Sequence, residues 1–246
     1  MDKIKIINIF KSIDGEAYHT GLPTIFLRTY GCNLRCAYAA GGCDTKESWS
    51  MAEYEKYYDH PLWEMTPEEA HNKIVETDPR IKHVTLTGGE PLLPDNQEWM
   101  KALAQLLLAS GYEVDFETNG AVPLAGMAAW RNGLMRSMQA RTHFIMDWKC
   151  PGSAMNSKML PENLKALGPQ DIVKCVVCDG DFDEVLSVRA KLSGDRAANI
   201  PIYISPAFGG VKMESIPEFV MDHPDLGFRC QIQSHKIFWD PTEKNR

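Results

Sequence analysis

The sequence lacks the features that are typical of membrane proteins, secreted proteins and multidomain or repeat proteins. No apolar stretch is long enough to span a bilayer, so we expect no membrane partner. The first ten residues have neither the apolar core nor the cleavage site of a secretory signal, and we therefore expect a cytoplasmic protein. A Gly/Ser-rich linker, an internal repeat and a low-complexity tract are also missing, which predicts a single domain over residues 1–246.

Basic residues are in deficit as well. Lys and Arg together number 26 against 33 Asp and Glu, which gives a formal net charge of −7. Proteins that bind nucleic acid regardless of its sequence need a basic surface, so we expect no nucleic-acid partner. The hydrophobic share of 44% is ordinary for a globular protein and is sufficient for a sizeable core.

Short apolar runs alternate with helical patterns along the chain. Strands are predicted at residues 24–29, 83–87, 114–117, 144–148, 172–177 and 202–205, and helices at 67–77, 97–110, 125–138 and 182–192. This alternation predicts an α/β fold with a mostly parallel sheet, in the form of a partial, modified (β/α)6 barrel. Ligands of such folds bind at the carboxyl ends of the strands, which is where the polar and Gly-rich motifs of this chain fall.

Residues 46–65 interrupt the alternation, because aromatic residues stand there among charged ones. We interpret this stretch as an inserted surface segment.

Three cysteines lie on one loop, residues 31–45, directly after the first of these strands. Cys32 and Cys36 are separated by three residues, and Cys43 follows after six more. Reduced cysteines that cluster on a loop commonly bind metal, and thiolates are the usual ligands of iron–sulfur clusters, so the loop predicts a [4Fe-4S] cluster. A structural zinc site would need a fourth ligand at short spacing, which His19 and His60 do not provide. The alternative is three thiols that share no ligand.

Cys175 and Cys178 have the C-x2-C spacing of a possible second cluster. The segment around them is predicted to be extended, however, and residues three apart in a strand face opposite sides of the sheet. We therefore interpret them as thiols of the core.

Motifs along the chain carry a resemblance to a known superfamily. GCNLRC at 31–36, TGGEP at 87–91 and ETNG at 117–120 together resemble the radical S-adenosylmethionine (SAM) enzymes. Within that superfamily, IFKSIDGE at 9–16, CDT at 43–45 and QSHKI at 233–237, with Thr20, Gly21 and Arg28, are similar to the 7-carboxy-7-deazaguanine synthase family. The resemblance runs from about residue 7 to about residue 240.

The resemblance implies a reaction. In that family, a 5'-deoxyadenosyl radical made from SAM takes hydrogen from 6-carboxy-5,6,7,8-tetrahydropterin, the ring contracts, and 7-carboxy-7-deazaguanine forms with loss of ammonia. The hydrogen is returned, so SAM serves as a cofactor, and the product feeds queuosine-type and other deazapurine synthesis. The resemblance also implies Mg2+, an electron donor such as flavodoxin or ferredoxin, and a homodimer.

The resemblance further implies roles for individual residues. The cluster ligands are Cys32, Cys36 and Cys43, and the Mg2+ ligand is Thr45. The residues that would bind substrate are Ile13, Asp14, Gly15, Glu16, Arg28, Thr87 and His235. The residues that would bind SAM are Gly89, Glu90, Glu117, Asn119, Asp147, Trp148, Lys149 and Lys174.

Several of these residues also admit plainer interpretations. Thr45 can be a turn residue with no ligand, and Asp147 a solvated loop acid. An arginine within a barrel strand is costly unless it is paired, so Arg28 can instead form a structural pair with an acid such as Glu16. Its planar fork also suits a carboxylate of the substrate, which is the interpretation we favour.

The chain departs from the family pattern at two places. The family usually has two residues between its second and third cluster cysteines, where this chain has six, and it usually has Gln where this chain has Asp14. We interpret residues 39–42 as a looped-out insertion, because slight lengthening of a loop costs little entropy.

Two other functions remain to be distinguished. One is a different radical SAM enzyme, such as a glycyl-radical activase, and the other is an iron–sulfur electron carrier without catalysis. The SIDGE motif at 12–16 argues against the first, because an activase needs a protein docking surface. The TGGEP and ETNG motifs argue against the second, because a carrier needs no SAM site.

Overall fold

The computed structural model describes residues 2–38, 41–192, 199–240 and 243–245, without the side chains of His235 and Lys236. The strands are β1 (Ile4–Ile13), β2 (Pro23–Thr29), β3 (Trp63–Met65), β4 (His83–Gly88), β5 (Glu113–Thr118), β6 (Thr142–Asp147), β7 (Ile172–Val177), β8 (Ile202–Pro206) and β9 (Phe228–Cys230). The α-helices are α1 (Met51–Tyr54), α2 (Pro67–Thr77), α3 (Gln97–Ala109), α4 (Ala125–Asn132), α5 (Arg136–Gln139), α6 (Glu162–Ala166), α7 (Phe182–Lys191), α8 (Ser215–Asp222) and α9 (His235–Phe238).

These strands form one sheet in the order β3-β1-β2-β4-β5-β6-β7-β8-β9. Every pairing from β2 to β9 is parallel, whereas β1 runs antiparallel to both β2 and β3. The prediction of a partial α/β barrel is confirmed, and its six predicted strands correspond to β2 and β4 to β8. The strands β1, β3 and β9, which extend the sheet at its two edges, were not predicted.

The helices follow their sequence signals closely, with one exception. At the start of α2, Thr66 and Glu69 form a reciprocal capping box. The prediction of one continuous helix over 125–138 was wrong, because α4 ends at Asn132 and α5 begins at Arg136. Gly133 lies between them, where its backbone N–H bonds carbonyls of the last turn of α4.

The segment 46–65 contains α1 and β3 and is packed against the sheet. Tyr54 and Tyr58 have only 1% and 8% of their surface exposed and form a small apolar cluster with Ile7 of β1. Their rings are stacked with centroids 4.8 Å apart. This part of the chain therefore holds the antiparallel edge of the sheet in place.

The main core lies between the parallel strands and the helices that pack on their outer surface. At the carboxyl ends of the strands, polar residues replace apolar ones, and a cavity opens there. Across the described ranges, no helix combines the length and the hydropathy needed to cross a bilayer.

Candidate active site

The cavity at the carboxyl ends of the strands has a volume of about 420 Å3. It brings together most of the residues that the sequence predicted for the site. The lining includes Ile13, Asp14, Gly15, Glu16, Arg28, Cys32, Cys36, Cys43, Thr45, Thr87, Gly89, Glu117, Asn119, Asp147, Lys149 and Lys174. The side chain of the predicted substrate contact His235 lies outside the described part of the chain.

The three loop cysteines face this cavity together. Cys32, Cys36 and Cys43 are half-buried, and none is in a disulfide. Burial raises the pKa of the Cys36 thiol to about 11 and raises that of Cys32 as well, and the neighbouring loop sulfurs add to both effects through repulsion. A cationic group in the cavity would stabilise these two thiolates, and Cys43 offers a third sulfur to the same space. These residues therefore fit an iron–sulfur cluster.

A tight turn lies within the long segment between Cys36 and Cys43. The backbone N–H of Gly42 donates to the carbonyl of Tyr38 at 2.8 Å, so the chain returns to nearly the same place after four residues. Gly41 and Gly42 have φ angles of +111° and +80°, which glycine adopts readily. Residues 39 and 40 of the predicted insertion lie outside the described residues.

Oxygen donors stand beside the third cysteine. The Thr45 hydroxyl lies 3.5 Å from the Cys43 sulfur, and the neighbouring Asp44 also lines the cavity. Hydroxyl and carboxylate oxygens are ligands that Mg2+ accepts, so this corner of the cavity fits that ion.

The TGGEP turn is docked on the cysteine loop. Gly89 and Glu90 donate backbone hydrogen bonds to the carbonyls of Thr29 and Gly31, at 3.2 and 2.9 Å. A Cβ on Gly89 would lie 2.2 Å from the Gly31 carbonyl oxygen, and one on Gly88 would lie 2.3 Å from the Thr29 nitrogen. Both glycines are therefore required for the turn to approach the loop, in addition to any approach to a ligand.

Glu90 lies beneath the cavity, outside its lining, although the sequence predicted a contact with SAM. Its side chain is fully buried and accepts hydrogen bonds from the Thr118 hydroxyl and from the backbone N–H groups of Leu92 and Asn119, at 2.7 to 2.9 Å. Burial raises the pKa of this carboxyl to about 7. Its contacts hold Asn119, whose amide donates to Asn33 in the cysteine loop at 2.8 Å.

Trp148 likewise lies outside the lining. Its ring is buried in the core, with 2% of its surface exposed, and its indole N–H donates to the Glu184 carboxylate on α7 at 2.8 Å. The side chain thus anchors the end of β6 to a helix.

A row of alternating charges crosses the cavity. The Lys174 ammonium bonds the Glu16 carboxylate and lies 4.0 Å from Asp147, and Lys149 lies 2.7 Å from Asp147. Burial by itself lowers the pKa of the Lys149 and Lys174 ammonium groups, but the neighbouring carboxylates raise both well above their usual values. Both lysines are therefore positively charged and lie beside the space that a ligand would occupy.

Arg28 does not form the structural pair with Glu16 that was the alternative to a substrate contact. Glu16, its predicted partner in that case, bonds Lys174 and Gln233 instead. Arg28 lies 4.7 Å above the ring of Phe10, which stacks on Phe26. Within the described ranges no carboxylate forms a salt bridge with it, so its charge remains available to an acidic ligand.

Asp14 is buried at the side of the cavity, with 3% of its surface exposed. Its carboxyl accepts the backbone N–H of Glu16 at 3.0 Å and contacts the Thr85 hydroxyl at 3.4 Å. Burial first, and then the nearby Glu117, raise the pKa of this carboxyl to about 7. Such a group can exchange a proton near neutral pH.

Phe10, Phe26, Tyr38, Asp44, Phe208 and Gln233 also line the cavity and were not assigned to it from the sequence. Phe10 and Phe26 are paired directly across β1 and β2, so the alternation of side chains along those strands was the signal that could have found them.

Comparisons with known proteins agree with this geometry. Residues 26–135 match the model of the radical SAM superfamily. A 7-carboxy-7-deazaguanine synthase from Clostridium acetobutylicum is 36% identical over 98% of this chain and 98% of its own length. One from Leptospira interrogans is 32% identical over 97% of this chain and 98% of its own.

Among solved structures, QueE from Escherichia coli superposes with a TM-score of 0.67 over 94% of each chain, at 22% identity, which supports the fold. The identities of 36% and 32% to the two synthases, each over nearly the whole length, show the family. The chain belongs to the 7-carboxy-7-deazaguanine synthase family of radical SAM enzymes.

Proposed function

We propose that this chain is a carbon–nitrogen lyase that converts 6-carboxy-5,6,7,8-tetrahydropterin to 7-carboxy-7-deazaguanine with loss of ammonia. The observation that carries the proposal is the near full-length similarity to synthases of this name. The cavity supports it, because one space contains free cysteines, buried cations and buried carboxyls.

Cys32, Cys36 and Cys43 would ligate three irons of a [4Fe-4S] cluster. When bound, the cluster and SAM supply the carbon radical that takes a hydrogen atom from the substrate. Gly89, Glu117, Asn119, Asp147, Lys149 and Lys174 would hold SAM from the cavity wall. We assign Glu90 and Trp148 to support of that wall, because neither faces the cavity.

The substrate would lie on the side of the cavity formed by β1 and β2. The guanidinium of Arg28 offers bidentate hydrogen bonds to the carboxylate of the pterin. Ile13, Asp14, Gly15, Glu16, Thr87 and His235 would contact the rest of the molecule. Phe10 and Phe26 give this side an apolar wall that excludes water.

Loss of ammonia requires protons to move. Burial raises the pKa of the Asp14 carboxyl to about 7, so this acid at the side of the cavity suits an exchange of protons with the substrate. The fixed positive charges of Lys149 and Lys174 would orient anionic groups without giving up protons.

Thr45 would bind Mg2+ beside the cluster, with its hydroxyl as a hard oxygen ligand. We further propose that the chain acts as a single domain over residues 1–246, that a flavodoxin or ferredoxin supplies electrons, and that the enzyme is a cytoplasmic homodimer, in keeping with the family. An activase or a plain electron carrier would not release a deazapurine.

Turnover with controls tests this function. The full chain is reconstituted anaerobically and incubated with the carboxypterin, SAM, Mg2+ and a reductant, and the product is identified by mass spectrometry. Cys43→Ala should contain less iron and form no product, whereas Cys230→Ala, a change at an exposed cysteine far along the chain, should match the unmodified enzyme. Absence of the deazapurine from a reaction with a full cluster would overturn the proposal.

A further inference from the structure

A second cluster of ligating side chains lies inside the barrel below the active-site cavity. It consists of three histidines and two carboxylates: His19, His83, His143, Glu113 and Asp115. Glu113, Asp115 and Glu117 share one face of β5, so Asp115 lies one layer below the cavity residue Glu117, and Glu113 lies below that. None of the three histidines has a role in the proposed reaction.

Three of these residues converge closely. Asp115 Oδ2 lies 2.8 Å from His19 Nδ1 and 3.0 Å from His83 Nε2. Asp115 and His83 are buried, with 0% and 6% of their surface exposed. Although His83 Nε2 lies this close to Asp115, it makes no well-formed hydrogen bond within the described residues, so a buried ring nitrogen faces the carboxylate without a full partner.

The second ring nitrogens of His83 and His19, which do not face Asp115, have hydrogen-bond or ion-pair partners of their own. His83 Nδ1 lies 2.6 Å from the Thr24 hydroxyl, which fixes the ring with Nε2 toward Asp115. His19 Nε2 lies 3.3 Å from Glu113, which is itself 2.9 Å from His143 Nε2. Histidines that bind metal characteristically have their second ring nitrogen held in this way.

We propose that His19, His83 and Asp115 form a binding site for one divalent transition metal, with Zn2+ as the ion that suits this donor set best. Two imidazoles and one carboxylate are a common zinc ligand set, which leaves a fourth position for water. His83 and Glu113 also line a surface groove of about 750 Å3, which gives the ion a route in from the amino-terminal ends of the strands.

Electrostatics favour a cation at this position. The carboxylates of Asp115 and Glu113 lie 2.8 and 3.3 Å from the two ring nitrogens of His19, so two negative groups stand next to the proposed ligands. A divalent ion held by Asp115 Oδ2 and the two histidines would balance this charge and would give His83 Nε2 a partner.

The proposed metal site would fix a turn that lies next to the active-site cavity. His19 ends the short turn Ala17–His19, which directly follows the cavity residues Asp14 and Glu16. A metal shared with β4 and β5 would tie this turn to the barrel. We therefore regard the three ligands as positioning residues for the substrate side of the cavity.

Metal analysis of the full chain tests the site. The [4Fe-4S] cluster is first reconstituted so that the loop thiols are occupied, Zn2+ is added, and unbound metal is removed. We expect one zinc per chain in addition to iron. Co2+ in its place should give visible bands without new thiolate charge-transfer absorption, in a difference spectrum against the cluster-loaded chain that has no cobalt.

Variants locate the ion independently of turnover. His83→Gln and Asp115→Asn should weaken zinc binding at least tenfold while iron content is kept. His71→Gln, at a histidine that bonds the Ser110 hydroxyl, should bind zinc normally. If both substitutions unfold the chain, the unmodified protein decides the matter, since Zn2+ should raise its melting temperature. Failure of the cluster-loaded chain to bind zinc, zinc retained in both variants, or a thiolate spectrum with Co2+ would each refute the site.

Discussion

Replacement of Gly89 by Ala should separate the TGGEP turn from the cysteine loop. The new Cβ would lie 2.2 Å from the Gly31 carbonyl oxygen and 2.9 Å from the Cys32 Cβ. Real Cβ atoms essentially never come closer than 3.0 Å, so the turn must move by about 0.8 Å. Because the obstacle is backbone, no side-chain rotation can relieve the contact.

The magnitude follows from that displacement. Overpacking of this kind costs roughly 1–3 kcal/mol, which corresponds to a fall in melting temperature of about 2–12 °C for a chain of this size. A displacement approaching 1 Å beside reacting groups can lower turnover by about 10²-fold. Iron content after reconstitution should fall as well, because Cys32 is carried by the displaced loop.

Gly126→Ala is the matched control. Gly126 lies in α4, where a new Cβ meets only the Gln97 side chain at an ordinary distance of 3.6 Å. Alanine also favours a helix by about 0.5–1 kcal/mol over glycine, so this variant should be slightly more stable than the parent. A Gly89→Ala enzyme with unchanged melting temperature, iron and turnover would refute the argument that the turn needs this glycine.

Three further substitutions and one deletion test other residues of the site. Arg28→Lys should raise the KM for the carboxypterin about tenfold or more and leave SAM binding unchanged, because lysine keeps the charge and loses the bidentate fork; equal KM values would make Arg28 structural. Thr45→Ala should lower turnover and its response to added Mg2+ while the cluster spectrum is kept; an unaltered response would remove Thr45 from the metal site. The pKa of the Asp14 carboxyl is raised to about 7 in the folded chain, whereas the same carboxyl loses its proton near pH 4 in the unfolded chain. The contribution of Asp14 to the free energy of unfolding therefore falls as the pH rises from about 4 to 7, and it is constant above that range. Asp14→Asn should therefore match the parent at pH 4 and exceed it by up to about 4 kcal/mol at pH 8 in denaturant unfolding; a pH-independent difference would contradict this. Deletion of residues 39–42 should leave a chain that still binds a full cluster, because Tyr38 and Gly42 already meet; loss of iron would show that the extra residues are needed.

The sequence allowed the parallel strands to be predicted better than the edges of the sheet. The buried strand Ile172–Val177 is apolar except for Lys174, and its bounds were predicted correctly. In β1, by contrast, Asn8, Lys11 and Ser12 interrupt the apolar residues. That strand is stabilised by pairing with β2 and β3 over long distances in sequence, which a local pattern does not contain.

The candidate site also contains residues whose position could be predicted from the sequence and residues whose position could not. Cysteines and glycine turns could be placed at strand ends because their spacing is local, and they line one cavity. The burial of Glu90 and Trp148 away from that cavity could not be predicted, since it depends on Thr118, Asn119 and Glu184, which are brought close only by the fold. The histidine cluster depends in the same way on three separate elements.

The stoichiometry of SAM tests the central claim most directly. In one anaerobic reaction of the cluster-loaded enzyme with the carboxypterin, the amounts of 7-carboxy-7-deazaguanine formed, ammonium released and SAM lost would be measured together. If SAM serves as a cofactor, deazapurine and ammonium should form in equal amounts, with many products for each SAM lost. One SAM consumed for each product, or SAM cleaved with no deazapurine formed, would contradict it.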